Sequence, residues 1–169
     1  MRILFNLIIA ILICLSSCQS TDESLSIEKQ EHISNTLKTL AIDFLSSWEP
    51  PFNPDKALML FTQSEDFHLV IDGLITTTFK EWKDGVPNYM ADDDYFFKSY
   101  KHEIKDIRTV VLSPNSGVVT IIYIWDSISR KDGIHKRVDG AFTLACRKEK
   151  VGWKIVHYHG SHGDERIVE

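Results

Sequence analysis

Apolar residues at Ile33, Leu37, Leu40, Ala41, Phe44, Leu45 and Trp48 form one continuous stripe at helical period, and it stops at Pro50-Pro51. The spacing predicts a first helix of about five turns that buries one face. Asn53-Pro54-Asp55 then has the chemistry of a helix start, with an N-cap side chain, a proline at the first position and an acid for the dipole. The short helix that follows carries Ala57, Leu58 and Phe61 on its inner side. Phe67 to Asp72 predicts a strand turning at Asp72-Gly73, with Leu74 to Thr77 returning. Thr78 and Glu81 make a capping box for a third helix from Phe79, which Gly85 and Pro87 should interrupt. Beyond Asp92-Asp93-Asp94, read as a solvated turn, the period changes from helical to alternating. Four long β segments are predicted near 99–113, 117–130, 134–149 and 152–162, separated by Pro114-Asn115-Ser116-Gly117, Asp132-Gly133 and Lys148 to Gly152. Short connections make them an antiparallel meander, and strands this long must coil, with Gly140 a natural bend or bulge. Helices followed by a curved antiparallel sheet give an α+β domain.

The first residues have a different logic. Arg2 precedes a run, Ile3 to Leu15, that is apolar except for Asn6, and Leu15-Ser16-Ser17-Cys18 closes it. Charge, a short apolar segment and small residues are the parts of a secretory signal. The cysteine directly after the serines resembles the bacterial lipobox, which implies lipidation at Cys18. The chain then divides into a signal (1–17), a polar tether (18–29), the domain (30–163) and a polar tail (164–169). The protein is expected in the cell envelope, held to a membrane by lipid alone. The chain has 19 basic and 24 acidic residues, a net charge of −5, and losing Arg2 makes it one unit more negative. That balance argues against nucleic acid and a polybasic membrane surface. With Cys14 in the signal and Cys18 lipidated, only Cys146 remains, so no disulfide framework exists. Cys146 lies in an apolar strand pattern and reads as a buried, inert thiol.

At Gly152-Trp153-Lys154-Ile155-Val156-His157-Tyr158-His159-Gly160-Ser161 the last strand resembles the terminal strand of the nuclear transport factor 2-like superfamily. The SnoaL-like branch and the association domain of calcium/calmodulin-dependent kinase II are the nearest likenesses. Leu112 to Thr120 and the helix exit at Trp48-Glu49 agree with it. The resemblance implies a cone-shaped domain, a cavity between sheet and helices, and pairing into a homodimer through the outer sheet face. It also implies cavity arginines at the positions of Tyr123, Leu144 and Gly160, all lost here.

Strand parity places Val119, Ile121, Tyr123 and Trp125 on one face, with Phe142, Leu144 and Cys146 on the next strand and Val156, Tyr158 and Gly160 on the last. Trp48, Tyr123, Trp125, Phe142, Leu144 and Tyr158 are therefore the candidate ligand-binding residues, around a small neutral apolar or aromatic molecule. The alternative is that these aromatics fill the core. Trp48 and Trp153 are both expected to be substantially buried in the dimer. His157-x-His159-x-x-His162 lacks the context of a metal site, and no metal, cofactor loop, nucleophile elbow or Cys-x-x-Cys pair is identified. Asp72, Asp139 and His157 are possible bases and Tyr123 and Tyr158 possible donors, but parity does not bring them together. The leading expectation is thus a non-catalytic binding or assembly module. A ketosteroid-isomerase-like or dehydratase-like enzyme for a cyclic carbonyl compound is the alternative. A carboxylate or histidine bonded to a tyrosine inside the cavity would favour the enzyme.

Overall fold

The computed structural model describes residues 25–91 and 97–168; the expected signal, Cys18 and Asp92–Asp94 lie outside them. Helix α1 (Ile27–Ser46) starts where the Ser26 side chain accepts a hydrogen bond from the Lys29 N–H, three residues before the expected domain boundary. Its buried positions are Ile33, Leu37, Leu40, Ala41, Phe44 and Leu45, the stripe read from the sequence. Helix α2 (Pro54–Leu58) is capped by Asn53, whose side chain accepts from the Lys56 N–H. Helix α3 (Phe79–Ala91) runs through both Gly85 and Pro87, against expectation. One missing N–H does not outweigh the packing of Trp82 and Val86, which join the core. None of the described helices is long and apolar enough to cross a membrane.

The strands are β1 (His68–Ile71), β2 (Leu74–Thr76), β3 (Phe97–Ser113), β4 (Ser116–Ser129), β5 (His135–Glu149), β6 (Gly152–His162) and β7 (Arg166–Ile167). They form a single curved sheet in the order β2-β1-β6-β5-β4-β3, with β7 paired to β5. The meander is antiparallel throughout, whereas β1 joins β6 in parallel, His68 opposite His157 and Ile71 opposite Gly160. The expected polar tail is therefore partly strand: Ile167 pairs with Lys136, and Arg166 also reaches the Asp139 carboxylate at 2.6 Å. Gly140 is not a bulge. Its pairings with Tyr123 and His162 continue in register, and the irregularities lie at Val156 in β6, opposite Ala145/Cys146, and at three points along β3.

The sheet wraps α1, and the core sits between them. Phe44 is its hub, with edge-to-face contacts to Phe142 at 5.2 Å, Tyr158 at 5.1 Å, Phe61 at 5.7 Å and Trp48 at 6.1 Å. Phe44→Ala is expected to cost about 3–5 kcal/mol, through lost transfer energy and the void left behind. The check is a urea midpoint, and a shift below about 1 kcal/mol would contradict this packing. Cys146 is buried in the core, where desolvation pushes its thiol up to about 12, so it is unreactive at neutral pH. In the single chain Trp48 and Trp153 are partly buried, and Trp48 borders open space rather than packed core.

Candidate active site

That space is a cavity of about 470 Å³ at the C-terminal end of α1, between the helices and the concave face of the sheet. The α1 end and the segment after it contribute Phe44, Leu45, Trp48, Pro50, Pro51 and Phe52, and α3 contributes Trp82. The sheet contributes Phe97, Tyr100, His102, Tyr123, Trp125, Phe142 and Tyr158. Of the six residues singled out by parity, Trp48, Tyr123, Trp125, Phe142 and Tyr158 line the cavity. Leu144 does not. It is fully buried farther along β5, where the helix packs directly on the sheet.

The cavity is not purely aromatic and aliphatic. Asp72, Arg130, His102 and His162 also line it, so the expectation of a pocket without a cation gives way to one with Arg130 in its wall. Arg130 follows β4 in the turn toward β5, a position that strand parity does not address.

Three of these groups form a chain. Asp72 accepts from the His162 backbone N–H at 2.8 Å with one carboxylate oxygen and meets His162 Nδ1 at 2.7 Å with the other. The Tyr123 hydroxyl lies 2.8 Å from His162 Nε2. A carboxylate can only accept, so Nδ1 carries the proton, Nε2 presents its lone pair, and Tyr123 donates to it. Burial, aided by the negative charge of Asp72, raises the Tyr123 phenol above its ordinary range. Tyr123 therefore remains a neutral O–H donor.

Local structure explains how Asp72 arrives there. Its N–H donates to the Gly160 carbonyl at 3.2 Å, extending the parallel β1–β6 pairing by one residue. Its φ of 48° and the 85° of Gly73 then make the turn. Asparagine and aspartate are among the few residues that accept this left-handed region. The residue that makes the turn is thus also the carboxylate that holds His162. Asp139 points outward to Arg166, and His157 faces away from the cavity and stacks on His68 at 4.0 Å, both as parity required. Among the described residues no three His, Cys, Asp or Glu side chains are arranged to hold a metal.

His102 is the second histidine of the cavity. Its side chain is 4% exposed, its Nε2 is 3.0 Å from the Tyr100 hydroxyl, and its ring lies edge-on to Tyr123 at 5.1 Å. Glu49 Oε1 approaches Nδ1 to 3.4 Å but accepts instead from the His102 backbone N–H at 2.9 Å, and Nδ1 makes no hydrogen bond. This is not an ion pair. Burial, with a smaller contribution from His162, depresses His102 to about 3, so it is a neutral imidazole at physiological pH.

Comparison with solved structures bears on the same geometry. A scytalone dehydratase-like protein from Novosphingobium aromaticivorans superposes with a TM-score of 0.71 at 13% identity, covering 84% of this chain and 91% of that one. The fold is the nuclear transport factor 2-like cone. A hexachlorocyclohexane dehydrochlorinase, LinA-type3 from Novosphingobium barchaimii, gives 0.69 at 11% identity, covering 85% and 94%. A nuclear transport factor 2-like protein from Shewanella oneidensis gives 0.54 at 23% identity, covering 75% and 97%. No family model and no curated protein sequence matches the chain. A nuclear transport factor 2-like cone at these identities fixes architecture only, so the chemistry rests on the side chains.

Sequence reading misses His162 as an active group, because the His157-x-His159-x-x-His162 spacing presents it only as a third metal ligand. His102 stands in no motif and is missed altogether. A signal does exist for both. Each has the parity of an inward aromatic, His102 opposite Trp125 and His162 two residues beyond Gly160.

Proposed function

We propose that this protein is an acid–base enzyme of the dehydratase type, acting on a neutral cyclic carbonyl compound held in the aromatic cavity. One observation carries the reading: a carboxylate-supported imidazole is hydrogen-bonded to a neutral tyrosine in the cavity wall. Its support from other proteins is that structural neighbours of this cone are described as a dehydratase and a dehydrochlorinase, both elimination catalysts.

The geometry suits one proton shuttled by one base. A substrate carbonyl competes for the Tyr123 O–H, which turns to it and leaves Nε2 bare. Nε2 takes a proton from the carbon beside the carbonyl, Asp72 steadies the imidazolium, and Tyr123 donates to the enolate oxygen. The enolate then re-forms the carbonyl and a carbon–carbon double bond as the β-hydroxyl departs. His162 returns its proton to that hydroxyl, giving water and the starting histidine. Beside the proposed base, Asp72 repels an anionic substrate and neutral His102 supplies no charge to offset it, although Arg130 also lines the cavity.

The test uses simple members of the substrate class. Enolisable cyclic ketones and β-hydroxyketones are incubated with the protein in deuterated water, and deuterium at the α-carbon is followed by NMR. Exchange above background, with a conjugated product from β-hydroxyketones, is expected. Saturable thermal stabilisation by these compounds without exchange would return the protein to the class of binding modules.

The proposal also puts this enzyme on a membrane surface through Cys18, supported by Leu15-Ser16-Ser17-Cys18. Labelled palmitate should be incorporated by the wild type and not by Cys18→Ala. A mature chain that starts downstream of Cys18 without lipid would end this part of the proposal.

A further inference from the structure

Tyr123, Gly140 and His162 lie side by side on three neighbouring strands: Gly140 pairs directly with Tyr123 on β4 and with His162 on β6. The Tyr123–His162 hydrogen bond therefore crosses a whole intervening strand, β5. Neighbouring strands are about 4.7–4.9 Å apart, so the outer two are separated by twice that distance. A tyrosine spans the gap only by lying flat over the residue between. A β-carbon at position 140 would fall 2.5 Å from Tyr123 Cζ and 2.7 Å from its hydroxyl oxygen, closer than packed carbon atoms come. Gly140 has neither a positive φ nor a register shift, so backbone freedom does not explain it.

We propose that Gly140 is a positioning residue, whose missing side chain is the seat that lets Tyr123 reach His162. The inference deepens the acid–base reading and rests on it for its catalytic consequence, but the seat itself can be tested without a substrate. Any β-carbon at 140 lifts the ring off the sheet and parts the hydroxyl from Nε2. Glycine is then required by the chemistry of two other strands, which a strand propensity would never suggest.

The experiment compares the ¹⁵N chemical shifts of the His162 ring nitrogens, by NMR of ¹⁵N-histidine protein at one neutral pH, in wild type, Tyr123→Phe and Gly140→Ala. The His162 Nε2 shift in Gly140→Ala is expected to leave the wild-type value and match that of Tyr123→Phe, where the hydroxyl is absent. If Gly140→Ala folds poorly, a thermal cycle replaces it. Alanine at 140 should lower the melting temperature beside Tyr123 and be tolerated beside Tyr123→Ala, where no ring needs the seat. A wild-type His162 Nε2 shift in Gly140→Ala, or the same melting loss in both backgrounds, overturns the proposal. Failure of the wild type to exchange deuterium would count against the enzymatic reading alone and leave the seat standing.

Discussion

His162→Ala should lower kcat/KM by about 10²–10⁴-fold on any cyclic ketone that the wild type turns over, the range lost when a positioned general base is removed. Stability should fall far less. The side chain is 23% exposed, and its loss strands the Tyr123 hydroxyl and the Asp72 carboxylate, a cost of about 1–2 kcal/mol. Asp72→Asn tests the tautomer argument separately. An amide at this position can donate to Nδ1, which moves the imidazole proton to Nε2 and removes the lone pair that faces the substrate. Turnover should then drop with little change in KM, since nothing that encloses the ligand has moved. Full activity in both variants, measured on purified folded protein, would rule out His162 as the base.

The second large effect is on stability and comes from His102. In the native state its imidazole is held down to about 3 by burial, while in the unfolded chain it titrates near its ordinary value of about 6.5. Above the unfolded value both states carry a neutral ring and pH does not matter. Below it the unfolded chain binds a proton that the native site refuses, so stability falls as pH drops through the window from about 6.5 to 3. A shift of this size corresponds to roughly 5 kcal/mol across the whole window, an order-of-magnitude figure. His157, also depressed by burial and by its neighbouring histidines, contributes with the same sign. His102→Phe removes the larger of the two titrations and keeps an aromatic ring among Tyr100, Tyr123 and Glu49. Urea midpoints between pH 7 and 4 should flatten in that variant, and an unchanged pH slope would show that His102 titrates normally.

The fold was largely legible because its signals are local. The α1 stripe, the Asn53 cap and the four strand segments each follow from periodicity within one stretch of chain. Inward parity likewise found five of the six proposed lining residues, since alternation along a strand is fixed by the pleat. Leu144 failed for a reason parity cannot express. It faces the correct side, but lies at the depth where α1 sits directly on the sheet and leaves no space. The Asp72–His162–Tyr123 chain was illegible for a related reason. It requires the parallel closure of β1 onto β6, and the two segments show no pattern in the sequence that announces their pairing. Gly140 was misread because glycine in a strand suggests a bulge, whereas the actual demand on it comes from a ring on the next strand.

The pairing of Asp72 with a histidine 90 residues later has a consequence for timing. Closing a loop of that length carries an entropic cost that local contacts do not, and long-range strand pairing is slow to form. Helix α1 and each hairpin of the meander can form from neighbouring residues, but the base acquires its carboxylate only when β6 docks beside β1. A chain still being synthesised therefore holds every cavity aromatic before the proposed base has its carboxylate. Appearance of deuterium exchange during refolding should coincide with the last structural phase, which makes catalytic onset a clock for completion of the sheet.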